Sequence, residues 1–375
     1  MSDTVADTSS GMLALTKARP GLGGLALDRI AAPPRPGSGQ VLLRVLAAGI
    51  CGTDIHIYKW GSFAHRMRLP TVLGHEMCGV VEAVGAGVTR VAPGARVSVE
   101  SHVPCGSCYT CHRGWSHVCP NTRYPGVDFN GGFASHVLLP AAILWPVPDG
   151  ISDDVAAMME PFGIAVHASM EGTGVAGQNV LIAGCGPIGL MNVAVAHALG
   201  ANRIIATDVN PIRLRTALAL GADRAIDVSV DDPSPAVDDL TRAQGVDVAI
   251  EYSGHSSSLR LASELLANGG ELRLVGVPEG DVGLDLTSWL LKGVTVRNIH
   301  GRRLFASWEQ GTRLLLDKQV DIRSLVSHRL PLVNGLAGFD AVLAGLALKV
   351  LLVPGDGPPI AATARHENAR KDKAP

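Results

Sequence analysis

Gly184-Cys185-Gly186-Pro187-Ile188-Gly189 is a G-x-G-x-x-G turn set between an apolar run, Val180 to Ala183, and a helical stretch, Leu190 to Leu199. Glycines at this spacing let a chain turn tightly out of a strand and pack the following helix closely onto it. The turn therefore asks for a strand, a helix and further strands beside them. From Asp153 onward the chain alternates accordingly: Asn179 to Ala183, Ile188 to Leu199, Arg203 to Asp208, Pro211 to Leu220, Val246 to Tyr252, Ser256 to Leu266 and Glu271 to Val277. Strand and helix patterns alternating at this pitch imply a parallel sheet with helices on both faces. Asp153 and Asp154 open the region as acids in the first turn of a helix.

The same turn leaves a helix N-terminus facing outward, where backbone N–H groups hold a pyrophosphate. Asp208 ends the next strand, nineteen residues past Gly189, where an acid accepts hydrogen bonds from a ribose 2′-hydroxyl. A carboxylate there repels the 2′-phosphate of NADP, so NAD is the expected cofactor. Arg213 reads as a solvated helix residue or an adenine-ribose contact, with accommodation of a phosphate as the alternative.

Between Leu13 and Pro148 the pattern is different. Short β-branched runs (Val41 to Ala47, Gly79 to Val84, Arg96 to Glu100, Ala134 to Leu139) recur between Gly and Pro punctuation, which predicts a β-rich, barrel-like domain. Past Gly301 the alternation stops, and the chain is expected to return to that first domain. A length of 375 residues suits two domains. The expected division is 1–162, with a cysteine lobe at about 101–122, then 163–304, then 305–375. Residues 1–10 and the tail 355–375 are expected to be loose.

Composition narrows the partners. A formal net charge of −2 with 18% charged residues offers no basic face for nucleic acid, and 4% aromatics offers no stacking platform for bases. The stretch Val180 to Leu199 is interrupted by Gly184, Gly186, Pro187, Gly189, Asn192 and His197, which argues against a membrane span. Met1 to Ser10 has no basic and apolar leader pattern, so a cytoplasmic setting is expected.

In that setting Cys105, Cys108, Cys111 and Cys119, spaced C-x2-C-x2-C-x7-C, point to metal and away from disulfides. Four thiolates close a tetrahedral zinc and leave no open position, so the expected role is structural, with iron–sulfur ligation as the competitor. A second constellation comprises Cys51-Gly-Thr53-Asp54-Ile-His56, Gly74-His75-Glu76 and Glu160-Pro161-Phe162-Gly163. Cys51, His75 and a carboxylate give the three protein ligands of a catalytic zinc. Spacing alone leaves this open, because a Cys or His in apolar surroundings is as readily core as ligand.

Taken together, these words resemble the zinc-dependent medium-chain alcohol dehydrogenase family from about Leu13 to Leu352. The resemblance implies an α/β protein with a β-rich GroES-like catalytic domain and a Rossmann doubly wound parallel sheet. It implies two zinc ions per chain, NAD, a small-molecule substrate and a homotetramer. It assigns Cys51, His75 and Glu76 to the catalytic zinc, Thr53 and His56 to a proton relay, and Glu160 to a carboxylate near the metal; which acid ligates stays open. It places Gly184, Gly186, Ile188, Gly189, Asp208, Arg213, Val275, Gly276, Val277, Ile299 and His300 at the cofactor. Ile50 to Trp60, Asn121-Thr122, Glu160 to His167, Asp208-Val-Asn and Ile299 to Arg302 are most similar to the branch that oxidises L-threonine to 2-amino-3-oxobutanoate.

Three departures bear on the substrate. Ser101 stands where the family has glycine, His300 where it usually has tyrosine, and the loop Val127-Asp-Phe-Asn-Gly-Gly differs. A polyol of the sorbitol or butanediol type, or a larger amino alcohol, is the alternative substrate; a non-catalytic dinucleotide-binding scaffold is the remote one. Arg66, Arg68, Arg302 and His102 are candidate partners for a substrate carboxylate, although each reads first as an ordinary surface or structural residue.

Overall fold

The computed structural model describes residues 11–278 and 280–355, so the expectations for residues 1–10 and for the tail beyond 355 lie outside the described residues. The first part of the chain forms β1 (Met12–Lys17), β2 (Leu25–Ile30), β3 (Gln40–Gly49), α1 (Gly52–Tyr58), β4 (Thr71–Val72), β5 (Glu76–Val84), β6 (Arg96–Val99), α2 (Tyr109–His112), β7 (His136–Pro140) and β8 (Leu144–Pro146). Along β3, Val41, Leu43 and Val45 are buried while Arg44 is exposed. Side chains alternate across a strand, so this pattern commits one face to a core.

The middle of the chain forms α3 (Asp153–Met170), β9 (Asn179–Ala183), α4 (Pro187–Ala198), β10 (Arg203–Asp208), α5 (Pro211–Ala219), β11 (Arg224–Asp227), α6 (Ser234–Thr241), β12 (Val246–Glu251), α7 (Ser256–Glu264), β13 (Leu266–Leu274), α8 (Leu286–Lys292) and β14 (Thr295–Asn298). Its strands pair in parallel in the order β11-β10-β9-β12-β13-β14. Val180 and Ile182 of β9 enter one core with α3 and α4, and Leu181 and Ala183 enter another with α6 and α7. Both faces of the sheet are covered, which is why its strands read as continuous apolar runs. The order reverses between β9 and β12, and a crevice opens outside the carboxyl ends of strands at such a switch point.

α3 joins the two halves. Ser152 caps it by accepting from the Val155 N–H, and Asp153 and Asp154 complement its positive end. The helix packs on β5 and β6 as well as on α4 and α9 (Ala306–Leu316). Ser98 Oγ donates to the Ala156 carbonyl at 2.7 Å, tying α3 to β6. The division expected between residues 162 and 163 falls inside this helix.

After α9 come β15 (Val326–Pro331), α10 (Gly335–Leu343) and β16 (Lys349–Val353). β16 pairs antiparallel with β3, so the end of the described chain completes the sheet that its beginning started. Among the described residues, no helix is long and apolar enough to cross a membrane.

Candidate active site

The four lobe cysteines are free thiols whose sulfur atoms all lie within 4.8 Å of one another. Cys119 Sγ is 3.6 Å from Cys105 Sγ and 3.7 Å from Cys108 Sγ. A disulfide needs about 2.05 Å, whereas tetrahedral sulfurs at ~2.3 Å from one zinc sit about 3.8 Å apart. The thiols fit the metal. Backbone N–H groups favour the thiolates: that of Ser107 brings Cys105 down to about 5, and that of Cys111 lowers Cys108. The lobe is docked through His117, whose ring meets that of His167 on α3 edge-on at 5.7 Å.

The second cluster is built on α1 and the start of β5. Cys51 precedes the first turn of α1, and Asp54 Oδ2 accepts from the Cys51 N–H at 2.9 Å. Thr53 and His56 are three residues apart, hence on one helix face, and line the same cleft as Cys51. One ligand atom from each of Cys51, His75 and Glu76 lies within 4.8 Å of the others. His75 Nδ1 is buried without a hydrogen-bond partner, 3.8 Å from Asp54 Oδ1, which also lacks one.

The charges around this cluster ask for a cation. Burial pushes up the Cys51 thiol and the Asp54 and Glu76 carboxyls. Burial pulls His75 down, yet Cys51 and Asp54 beside it lift it to about 10. A divalent metal taking the thiolate, a ring nitrogen and a carboxylate answers that demand, and the donor set is that of a zinc with an open position. Lys349, the first residue of β16, pairs with the Glu76 carboxylate and donates to the Ile50 carbonyl at 3.0 Å. Gly49 makes room for the pair, since a Cβ there would collide with Glu76 Oε2 and Lys349 Cε.

Glu160 lines the cleft from the middle of α3 and is 3% exposed. Its Oε1 accepts from Ser101 Oγ at 2.5 Å and faces Arg302 Nη1 at 2.9 Å. Arg302 is 0% exposed and grips Glu100 with two donors, Nε at 2.7 Å and Nη2. Glu100 also accepts from Trp308 Nε1 at 2.7 Å and from the His102 N–H at 2.8 Å. Against the effect of burial, Arg302 holds Glu100 well below the usual carboxylate range. Arg302 is therefore a structural cation and no free partner for a substrate carboxylate. Arg66 likewise bonds Asp128 at 2.9 Å.

The dinucleotide residues assemble at the switch point. Gly186, Ile188, Gly189, Val275, Gly276, Val277, Ile299 and His300 line the cleft of about 330 Å³ that also holds Cys51, His75 and Glu160. Gly184 has φ +94, and a Cβ on Gly189 would strike its carbonyl oxygen, so the turn admits no larger residue at either place. Asp208 does more than the sequence implies. Its Oδ2 accepts from the Cys185 N–H at 2.7 Å and its Oδ1 from Val209 and Asn210 N–H, fixing the turn, with Arg213 Nη1 3.7 Å away. His300 meets His102 edge-on, lies 3.5 Å from the Tyr124 hydroxyl and is lowered by burial to about 4.

Residues 37–149 match the family model of the alcohol dehydrogenase GroES-like domain, and residues 187–317 that of zinc-binding dehydrogenases. The chain belongs to the zinc-dependent medium-chain alcohol dehydrogenase family. This dehydrogenase is 43% identical over 323 residues to the L-threonine 3-dehydrogenase of Bacillus velezensis, covering 86% of this chain and 93% of that one. It is 42% identical to the protein of the same name from Bacillus subtilis strain 168, over 84% and 91% of the two chains. Among solved structures it superposes on the alcohol dehydrogenase TADH from Thermus sp. ATN1 with a TM-score of 0.84 at 32% identity, covering 92% of this chain and all of that one. It also superposes on 2R,3R-butanediol dehydrogenase from Bacillus subtilis with a TM-score of 0.83 at 28% identity and the same coverage.

Sequence reasoning did not find Lys349 or the work of Glu100 in this dehydrogenase. Neither carries a local pattern. Asp54 stands in the Cys51-Gly-Thr-Asp word, but nothing in the sequence assigns it a role.

Two outcomes are expected. Cys105→Ser should cost one zinc per chain by elemental analysis and lower the melting temperature by roughly 5–10 °C. Arg302→Met, which strands Glu100 and Glu160, should cost about 3–5 kcal/mol in urea unfolding, and adding Glu100→Gln should recover part of it.

Proposed function

We propose that this dehydrogenase oxidises the secondary hydroxyl of L-threonine, giving 2-amino-3-oxobutanoate, NADH and a proton. The observation that carries the reading is that the Cys51–His75–Glu76 cluster, the Thr53–His56 face and eight of the eleven dinucleotide residues, all but Gly184, Asp208 and Arg213, open into one cleft. The relatives named L-threonine 3-dehydrogenase support the choice of substrate. On this reading Cys51, His75 and Glu76 hold zinc, with Glu160 close by, and the Gly184 turn, Asp208, Arg213 and Val275 to Val277 hold NAD.

Bound zinc supplies the Lewis acidity that lowers the pKa of the substrate hydroxyl, and NAD supplies the acceptor for the hydride. Thr53 receives the hydroxyl proton on its Oγ1 and passes on its own. His56, three residues along the same face of α1, hands that proton to solvent, a task suited to imidazole near neutral pH. Ile188 and Ile299 give the cleft an apolar lining. The same reading carries a homotetramer acting in the cytoplasm.

A polyol or a larger amino alcohol is the second reading, and the engagement of Arg302 favours it. That arginine, one of two candidate carboxylate partners lining the cleft, is already paired with Glu100 and Glu160, which leaves His102 with its unpartnered Nε2 as the other. The deciding assay follows NAD reduction with threonine, serine, butanediol and sorbitol. Threonine should give the highest kcat/KM, and rapid turnover of a polyol with none of threonine would reverse the choice.

His56→Asn should lower kcat by about 10²-fold and change its pH profile; a parental rate across pH would remove His56 from the relay. Asp208→Ala should raise KM for NAD by at least about tenfold and narrow the preference over NADP, measured as the ratio of kcat/KM values.

A further inference from the structure

Two buried acids border the ligand cluster, and the structure treats them differently. Glu76 contributes an atom to the group that converges with Cys51 and His75, whereas Glu160 does not. Each acid faces a buried cation, Lys349 for Glu76 and Arg302, shared with Glu100, for Glu160. Charge alone therefore does not separate them. Ser101 does. Its hydroxyl, on a residue 3% exposed, donates to Glu160 Oε1 at 2.5 Å and accepts from Arg302 Nη2 at 3.0 Å.

A hydroxyl donating to a carboxylate at this distance makes a charge-assisted bond, among the stronger hydrogen bonds in proteins. Oε1 of Glu160 thus accepts from Ser101 and faces the Arg302 guanidinium, while Oε2 accepts no hydrogen bond from the described residues although Glu160 lines the cleft. A glycine or alanine at position 101 has no hydroxyl to offer, and Glu160 would then be held through Arg302 alone.

We infer that Ser101 is a positioning residue: it tethers Glu160 by Oε1 outside the inner ligand set, so that Glu76 is the third protein ligand beside Cys51 and His75. The inference rests on the zinc reading of this cluster and adds what keeps Glu160 out of the ligand set. Losing the tether should let Glu160 compete for the metal. Ser101→Thr keeps a hydroxyl at the same place and should keep the arrangement, which distinguishes tethering from simple filling of space.

The test uses the full-length chain loaded with cobalt at both sites. The visible difference spectrum between parent and Ser101→Ala cancels the four-cysteine site and reports the other. A shifted spectrum in Ser101→Ala, with the parental spectrum in Ser101→Thr, is the expected result. An unchanged spectrum in Ser101→Ala overturns the inference, as does an equal shift in both variants. Metal retention against a chelator gives an independent readout. Glu76→Gln should lose the second metal at least tenfold more readily than the parent, and Ser101→Ala combined with Glu76→Gln should recover much of that loss. Equal retention by Glu76→Gln with and without the Ser101 change overturns it. A parent holding only one metal per chain and reducing no NAD with any alcohol overturns the zinc reading itself, a result distinct from these.

Discussion

Arg302 holds a positive charge with no exposure to solvent, and that buried cation decides how the two layers meet. It draws together the end of β6 through Glu100, the middle of α3 through Glu160 and, through Glu100, the indole of Trp308 on α9. Removing any partner of such a group leaves an uncompensated charge in a low-dielectric interior, so the three segments are held to one mutual arrangement. The cleft forms in the space this arrangement leaves between the β3–β5 layer and the carboxyl ends of β9 and β12. Its shape thus depends in part on Glu100 and Trp308, which do not line it.

The reacting centre repeats the theme with a different cation. Glu76 and Lys349 are each 1% exposed and neutralise one another beside a thiol and an imidazole. Without Lys349, two carboxylates and a thiolate would share one dry pocket, and burial would drive protons onto them. The Lys349 ammonium offsets part of that push on Glu76 and Cys51. In the four-cysteine lobe backbone N–H groups lower Cys105 and Cys108, whereas burial raises Cys111.

What the sequence makes legible follows from distance along the chain. The Gly184 turn, the C-x2-C-x2-C-x7-C lobe and the Cys51-Gly-Thr-Asp word are each written within a few residues, and the structure assembles the parts they announce. Glu100 and Arg302 lie 202 residues apart and Glu76 and Lys349 lie 273 apart, so no local pattern announces either pair. Arg302 and Arg66 read as candidates for a substrate carboxylate because a sequence shows the charge and hides its partner. Asp208 was legible as an acid at a strand end; that its oxygens also pin the glycine turn was not, since backbone N–H donors leave no mark in a sequence. The helix at Asp153 was legible at its start from the two acids, but its service to both layers was not.

The pairing of β16 with β3 carries a consequence for how the molecule comes into being. Lys349 reaches the Ile50 carbonyl across 299 residues, so the layer bearing the ligand cluster lacks a strand and a counter-ion until almost the whole described chain has been made. The parallel sheet has no such debt, because its strands all fall between Asn179 and Asn298. Domains fold as units as the ribosome releases them. On a ribosome, then, the nucleotide layer is expected to be finished first, and the reacting centre is the last part of the molecule to close.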